Sequence, residues 1–538
     1  MNDPYPSYYE RLTRLACAPL GDCLRDNFVG LEKESLRVSP AGTIASTPHP
    51  AALGSALTHP FITTDFSEAL LEVITPAMTD KQEILGFLRD LHVFVHSHLG
   101  DELLWATSMP CILEGAGNIP LATYGSSNAA RMKTVYRRGL GNRYGRAMQV
   151  IAGVHYNFSF SDAFWPLYQE LETAGAEPGR FRSEAYMALI RNLQRFGWLV
   201  PYLFGASPAV CKTFVQRRQT DLDELDRSTY YCPHGTSLRM GDIGYQNRQT
   251  AGTGMKASYD NLDAYVRSLT WAIETPCPHY EAIGVKVGEH YEQLNANVLQ
   301  IENEYYSTVR PKQLSEWMEK PSLALRRRGV RYVELRSLDV NAFHPLGVAE
   351  EQLDFMAAFM LFCLLMESPR IGSGERKAID ENLLLVAHRG RDPSLELNRN
   401  GSGVRLRQWA AEVLDAMAPA AELIDGGSGG RCADSLSLQL EKVRDPELTP
   451  SARMLAEMRA NSESFFEYAR RTSHRYRDRF RGLSLSAERE ALFKRLSRES
   501  WEWQRELELS DDIGFDEFLV QYFAQRDPAQ GALRDSSP

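Results

Sequence analysis

Gly30-Leu-Glu-Lys-Glu-Ser-Leu-Arg-Val38 is the stretch that decides the fold. Side chains two apart in a strand share a face, so a strand here stands Glu32 and Glu34 side by side. Four further segments read the same way. Ala69-Leu-Leu-Glu-Val-Ile-Thr75 sets one acid, Glu72, into an apolar strand, with Asp65 and Phe66 just upstream. Val154-His-Tyr-Asn-Phe-Ser-Phe160 alternates, with His155, Asn157 and Ser159 opposite the aromatic face. Gln293–Ile301 is read as a strand whose continuation carries Gln300, Glu302, Glu304 and Tyr306 on one face. In Arg331-Tyr-Val-Glu-Leu-Arg-Ser-Leu338, Glu334 and Arg336 share a face with Tyr332. These segments lie far apart and lack a regular strand–helix rhythm, which predicts an α+β protein with a largely antiparallel sheet.

A solvated outer face accounts for any one Glu-x-Glu. Five polar faces rich in carboxylates and poor in Lys and Thr fit a solvated surface badly. If they converge on one concave surface, some of the acids must take up protons or be neutralised by a cation. Carboxylates with one imidazole and no thiolate select Mg²⁺ or Mn²⁺ over zinc. A hard-metal site handling phosphate is expected.

The 538 residues, 43% apolar and 24% charged, have the make-up of a globular enzyme. A formal charge of −10 disfavours a nucleic-acid binder built on a basic surface. The longest apolar run, Phe355 to Met366, is too short to cross a bilayer and reads as a buried helix. No membrane association and no secretory signal are expected, and eight scattered cysteines without C-x-x-C suit free thiols in the cytoplasm. There is no Walker A loop; Gly252-Thr-Gly-Met-Lys256 lacks its spacing. Gly426-Gly-Ser-Gly-Gly430 fits the G-x-S-x-G pattern but follows what reads as a helix end, so it is a linker. Ile84–Leu99, Gln352–Leu365 and Ala487–Leu509 carry helical periodicity. The expected organisation is a catalytic core over 1–370, a mainly helical part over 371–526 packed on it, and a disordered tail over 527–538.

Several blocks resemble the bacterial type of glutamate–cysteine ligase. They are Gly30–Val38, His59-Pro-Phe-Ile-Thr-Thr-Asp-Phe-Ser-Glu-Ala-Leu-Leu-Glu72, Tyr136-Arg-Arg-Gly-Leu-Gly-Asn-Arg-Tyr144, Ser207-Pro-Ala, Thr236-Ser-Leu-Arg239, Asn295-Ala-Asn-Val-Leu-Gln-Ile-Glu-Asn-Glu304 and Tyr332-Val-Glu-Leu-Arg-Ser-Leu-Asp339. The resemblance implies a carboxylate–amine ligase fold related to glutamine synthetase, with a curved antiparallel sheet forming a funnel surrounded by helices. It implies ATP-dependent joining of the L-glutamate γ-carboxyl to the amino group of L-cysteine through a γ-glutamyl phosphate, giving γ-glutamylcysteine, ADP and phosphate. ATP and Mg²⁺, with Mn²⁺ as an alternative, are the expected cofactors. Glutathione is an expected feedback inhibitor, and a monomer is favoured over an oligomer.

Carried onto this sequence, the resemblance assigns Glu32, Glu34, Asp65, Glu72, His155 and Glu334 to the metal cluster. Arg336 falls near the transferring phosphoryl group and, with Glu334, is the catalytic candidate. Arg239 is matched to the glutamate portion. Phe66, Tyr136, Leu140, Gln149, Tyr245 and Tyr306 are matched to the cysteine side-chain pocket. Arg137 and Arg310 are further cationic candidates, Arg310 toward the nucleotide. Taken alone, His155 reads as a structural histidine and the tyrosines as core aromatics. Arg326-Arg-Arg328 reads as a solvated turn, and no cysteine is given a catalytic role. Two rivals use the same residues: a sister ligase joining glutamate to another amine, and a metal-dependent phosphohydrolase.

Overall fold

The computed structural model of the chain describes residues 4–19, 23–113, 115–172, 175, 177–215, 220–244 and 255–526. Tyr245, most of the 252–256 stretch and the 527–538 tail lie outside the described residues.

The central sheet has seven strands: β1 (Phe28–Val38), β2 (Ile62–Thr64), β3 (Leu70–Ile74), β4 (Leu103–Leu104), β5 (Gly153–Ser159), β6 (Val309–Lys312) and β7 (Tyr332–Asp339). Their spatial order is β6-β7-β5-β1-β3-β2, with β4 paired to the end of β1, and every pairing is antiparallel. The register sets Glu34 opposite Glu72, Glu32 opposite His155, Asn157 opposite Glu334, and Glu334 opposite Arg310. Four of the five strands read from the sequence are therefore present and bring their polar faces to one surface.

The fifth is absent. Residues 293–301 form an irregular loop that ends in a single 3-10 turn, Glu302–Glu304. Its polar side chains bond to backbone and so compete with a ladder: Asn295 Nδ2 donates to Gln300 O at 2.8 Å, and Asn297 Nδ2 donates to Ile273 O at 2.6 Å. Arg326-Arg-Arg328 is also not a turn, because it forms the end of the helix Pro321–Arg328, which Gly329 stops at φ 72°.

The sheet's other face carries the core. Val154, Tyr156 and Phe158 are fully buried on β5, as is the helix Glu350–Leu365 from Leu353 to Leu361 apart from traces at Asp354 and Ala357. A helix apolar on all sides needs protein on all sides. The helices Pro178–Phe196, Leu406–Asp425 and Arg431–Arg444 supply it. Among the described residues beyond 371, the regular structure is helical except for the hairpin Glu396–Arg399/Ser402–Arg405. Gly426 ends the helix Leu406–Asp425 in the left-handed conformation at φ 78°, so Gly426–Gly430 joins two helices and is no nucleophile elbow.

Four helices matter below: α1 (Lys81–His96), α2 (Asn128–Tyr144), α3 (Ala487–Ser510) and α4 (Phe515–Ala524). The last two return to the N-terminal half. Ser500 Oγ accepts from Ser55 N at 2.9 Å, Asn128 Nδ2 donates to Ile513 O at 2.9 Å, and Arg131 lies 4.3 Å from the Phe515 ring centre.

Between Glu32 and Glu34, Lys33 points the opposite way, into the layer between the sheet and α1. It is 4% exposed, and its Nζ meets His92 Nε2 at 3.4 Å. Gly347, at φ 73°, leaves the room its stem needs, since a Cβ there would sit 2.8 Å from Lys33 Cε. Burial lowers the Lys33 pKa to about 7. A group that binds its proton more weakly in the folded state destabilises the fold below that pKa. Stability then recovers as pH rises from about 7 toward the unfolded value near 10.4. Lys33→Met is expected to raise Tm more at pH 6.5 than at pH 9.5, the difference reflecting a cost of about 3 kcal/mol. Calorimetry at the two pH values checks this, and equal gains would refute it.

Candidate active site

The polar face of the sheet floors a cavity of about 810 Å³, within the size range of enzyme ligand pockets. Glu32 and Glu34 on β1, Glu72 on β3, His155 on β5, Glu334 and Arg336 on β7, and Arg310 and Lys312 on β6 all line it. Period-two strands in antiparallel register put them there: each pair stands two apart on its strand, and the register aligns the strands.

The contacts are close. Asn157 Nδ2 donates to Glu32 Oε1 at 2.8 Å, and His155 Nδ1 lies 3.0 Å from Glu32 Oε2. His155 Nδ1 is also 3.7 Å from Glu334 Oε1, and its Nε2 is 3.9 Å from Glu34 Oε1. The backbone N–H of Gly153 donates to Glu34 Oε2 at 2.7 Å. Arg336 Nη1 donates to Glu334 Oε1 at 2.9 Å, while Lys312 Nζ stands 3.6 Å from Glu334 Oε2. The β7–β5 register shifts between Leu335 and Leu338, the interval that contains Arg336.

Electrostatics divides the acids. Burial, then the charges of Glu32, Asp65 and Glu34, hold the Glu72 carboxyl well above the usual carboxylate range. Burial also raises Glu34. Burial would raise Glu334 too, but Lys312, Arg336 and His155 hold it well below that range. On Glu32 burial is the largest single influence, but the His155 hydrogen bond together with the charges of His155 and Lys312 outweighs it, and the pKa is lowered. Ligand atoms of Glu32, Glu72 and His155 lie within 4.8 Å of one another, a group able to hold one metal ion. Glu334 Oε2 is buried without a hydrogen-bond donor among the described residues. Hard oxygen donors, a carboxyl kept from ionising by its neighbours and an unfilled acceptor fit a divalent hard cation.

Comparison with known proteins gives a consistent result. A family described as glutamate-cysteine ligase matches residues 12–386. A glutamate–cysteine ligase from Alcanivorax borkumensis is 49% identical over 501 residues, covering 92% of this chain and 95% of the relative. That of Pseudomonas aeruginosa PAO1 is 47% identical over 515 residues, 96% of this chain and 97% of the relative. The chain belongs to the glutamate–cysteine ligase family. The crystal structure of the Francisella tularensis ligase in complex with AMP has a TM-score of 0.87 at 36% identity, covering 94% of this chain and 98% of that one. A bifunctional glutathione synthetase from Pasteurella multocida shares the fold at TM-score 0.71 and 24% identity, over 91% of this chain and 58% of its own. The expected carboxylate–amine ligase fold is the one the chain adopts.

Of the ligase residues assigned by resemblance, Asp65, Tyr136, Arg137, Leu140, Gln149 and Tyr306 also line the cavity. Two do not. Phe66 is 1% exposed, packed under α2 where a Cβ on Gly141 would sit 3.2 Å from its ring. Arg239 is 1% exposed and occupies the space a side chain at Gly153 would need; its Nη2 donates to Arg336 O at 2.8 Å. Arg137 Nη2 stands 3.5 Å from Asp65 Oδ1, and its guanidinium lies 4.7 Å from the Tyr124 ring centre. Arg310 donates through Nη2 to Asn303 O at 3.0 Å.

Among the wall residues absent from the sequence reading, four are notable. Lys312 follows Arg310 at strand spacing, and the alternation of Val309-Arg-Pro-Lys312 could have revealed it. Trp317 and Trp503, both part-exposed, edge the cavity mouth with their ring centres 5.2 Å apart, and the buried Tyr522 lines the wall. Nothing local marks Trp503 or Tyr522, which α3 and α4 bring from far along the chain.

Glu304 was read as one of the acids on a polar strand. Its carboxylate instead forms a fully buried ion pair with Arg143 Nη1 at 2.8 Å and accepts from Tyr144 Oη at 2.7 Å and Gln300 N at 2.8 Å. Removing one partner of such a pair leaves the other charge stranded. Glu304→Gln is expected to cost about 3–5 kcal/mol of stability in denaturant melts. A loss of activity with no loss of stability would contradict this structural role.

Proposed function

We propose that the chain joins the γ-carboxyl of L-glutamate to the amino group of L-cysteine at the expense of ATP, giving γ-glutamylcysteine, ADP and phosphate. The observation carrying this reading is the cavity floor, where four glutamates and one histidine converge beside Arg336 and Lys312. Family membership supplies the substrates, and the AMP held by the Francisella ligase supports a nucleotide site.

The chemistry requires these residue types. A carboxylate is a poor electrophile, so the γ-carboxylate attacks the terminal phosphorus of ATP and becomes an acyl phosphate. Negative charge crowds the phosphoryl oxygens during transfer, and Arg336, fixed by Glu334, is proposed to meet it. Lys312 and Arg310 are proposed to flank the phosphates from β6. Glu32, Glu34, Glu72, His155 and Glu334, with Asp65 at the edge, are the residues that would hold Mg²⁺ or Mn²⁺. When bound, such an ion supplies charge neutralisation at the phosphates. The cysteine amine then displaces phosphate from the acyl carbon.

Tyr136, Leu140, Gln149 and Tyr306 are proposed to take the cysteine side chain. Phe66 and Tyr245 belong to the same proposal, Phe66 acting from beneath α2. Arg239 is proposed to act on glutamate through the β7 backbone it braces. A product-like tripeptide such as glutathione would fill both amino-acid sites, which is the physical basis for feedback inhibition. Residues 1–370 are proposed as the catalytic core, in a monomer acting in the cytoplasm. No helix among the described residues is long and apolar enough to cross a membrane.

Phosphate release is expected to require ATP, glutamate and cysteine together, with a γ-linked dipeptide identified by mass. Release with glutamate alone, indifferent to cysteine, would favour the sister ligase; release without either amino acid would favour the hydrolase. Glu32→Gln should abolish turnover and weaken Mn²⁺ binding followed by electron paramagnetic resonance. Arg336→Met should lower kcat about 10³-fold while leaving Mn²⁺ binding within a few-fold of the parent. Parallel losses in both readouts would place Arg336 in the metal site instead.

A further inference from the structure

Outside the cavity, one cysteine is set among charged groups. Cys232 follows the short strand Thr229–Tyr231, and its Sγ lies 3.4 Å from His388 Nδ1 at the end of the helix Ser373–Arg389. The other ring nitrogen, Nε2, stands 2.9 Å from Asp242 Oδ1. This is the order of a nucleophile, its base and the group that orients the base. Arg391 packs over the same turn, donating to Pro233 O at 2.5 Å and to Gly235 O at 3.3 Å, and pairs outward with Glu447 at 3.4 Å. The charged groups facing Cys232 are therefore His388, Asp242 behind it, and Arg391 with Glu447.

Two glycines give this cluster its room. A Cβ on Gly235 would collide with Cys232 Cβ, and one on Gly241 would sit 2.7 Å from His388 Nε2. The cluster also reaches solvent: side-chain exposure is 61% at Asp242 and 23% at His388, and Cys232 itself is 8% exposed. Burial would lower the His388 pKa, but Asp242 and Cys232 together push it up to about 9. A cationic imidazole there can hand a proton to a departing thiolate. Burial pushes the thiols of Cys111, Cys211, Cys363 and Cys432 up. Incidental packing would account for a sulfur–imidazole contact alone, but not for a carboxylate on the far nitrogen and a buried guanidinium over the same turn.

We propose that Cys232, with His388 and Asp242, is a nucleophilic thiol site that takes small-molecule disulfides, distinct from the ligase cavity. In the reaction the Cys232 thiolate attacks one sulfur of the disulfide. A new Sγ–S bond forms as the old S–S bond breaks, and the departing thiolate takes its proton from the His388 imidazolium. The disulfide is the oxidant and leaves as one mixed disulfide on the protein and one free thiol. Cystine, the disulfide of the amino acid this family uses, is a small member of that class.

The test is sub-stoichiometric alkylation of the full-length native protein by iodoacetamide, with each cysteine's rate read by peptide mass mapping. Cys17, which is exposed, is the internal reference. At pH 7 Cys232 is expected to react about tenfold faster than Cys17. His388→Gln should slow Cys232 about tenfold and leave Cys17 unchanged, and Asp242→Asn should slow it less. Incubation with L-cystine should place a cysteinyl adduct on Cys232 first. A Cys232 rate at or below that of Cys17 in the parent protein, or cystine adducts elsewhere but not on Cys232, overturns the proposal. The parent protein alone decides both points, so a poorly folding variant does not blunt the test.

Discussion

The structure depends on holding like charges together. Glu32, Glu34, Glu72 and Glu334 share one face of the sheet, with Asp65 at its edge, and beside them stand the His155 imidazole and the cations Arg336, Lys312 and Arg310. Carboxylates this close cannot all ionise without compensation. The chain meets the constraint in two ways. Glu334 is surrounded by cations and stays ionised, whereas Glu72 is surrounded by acids and resists ionising. The same strands bury Leu31, Tyr156 and Phe158 on the reverse face. A one-residue slip in register would turn the acids into the core and the core into the cavity, so packing on one side enforces the repulsive arrangement on the other.

That coupling explains what was legible in the sequence. Period-two alternation with acids on one face and aromatics on the other is visible locally, and β1, β3, β5 and β7 could be read from it along with Glu32, Glu72, His155 and Glu334. The absence of a strand–helix rhythm conveyed the antiparallel sheet. The failure at 293–304 has the opposite cause. Its acids and amides alternate too, but Asn295, Asn297 and Gln300 spend their hydrogen bonds on nearby backbone and side chains. Glu304 is consumed by Arg143, a residue some 160 positions away. Alternation of polar residues signals a strand only where a partner strand exists, and the partner is not local information.

The cavity mouth was illegible for the same reason. Trp317 belongs to the loop after β6, while Trp503 and Tyr522 belong to helices more than 150 residues later. On a charged helix such as α3, one Trp reads as an ordinary surface residue. Its place becomes apparent only once Ser55 meets Ser500 and Asn128 meets Ile513, which dock α3 and α4 against the first third of the chain.

This docking ties the cavity to the order of assembly. The floor is built from pairings within residues 28–339, but its mouth is finished by residues 487–524. Contacts of such sequence separation form late, because the entropy of closing the intervening loop must be met before they contribute. The floor can therefore form while the mouth is still open. Whereas α4 buries Phe515, Leu519 and Tyr522 in a cluster with Met132, Val135 and Ile301, α3 adds few buried apolar groups of its own: of its large apolar residues only Phe493 is fully buried, while Leu509 is 87% exposed. An element held by so little core opens at a lower free energy than the sheet does. The cavity wall is thus anchored unequally, Trp503 standing on the helix with the least core and Tyr522 on one packed into the α2 cluster.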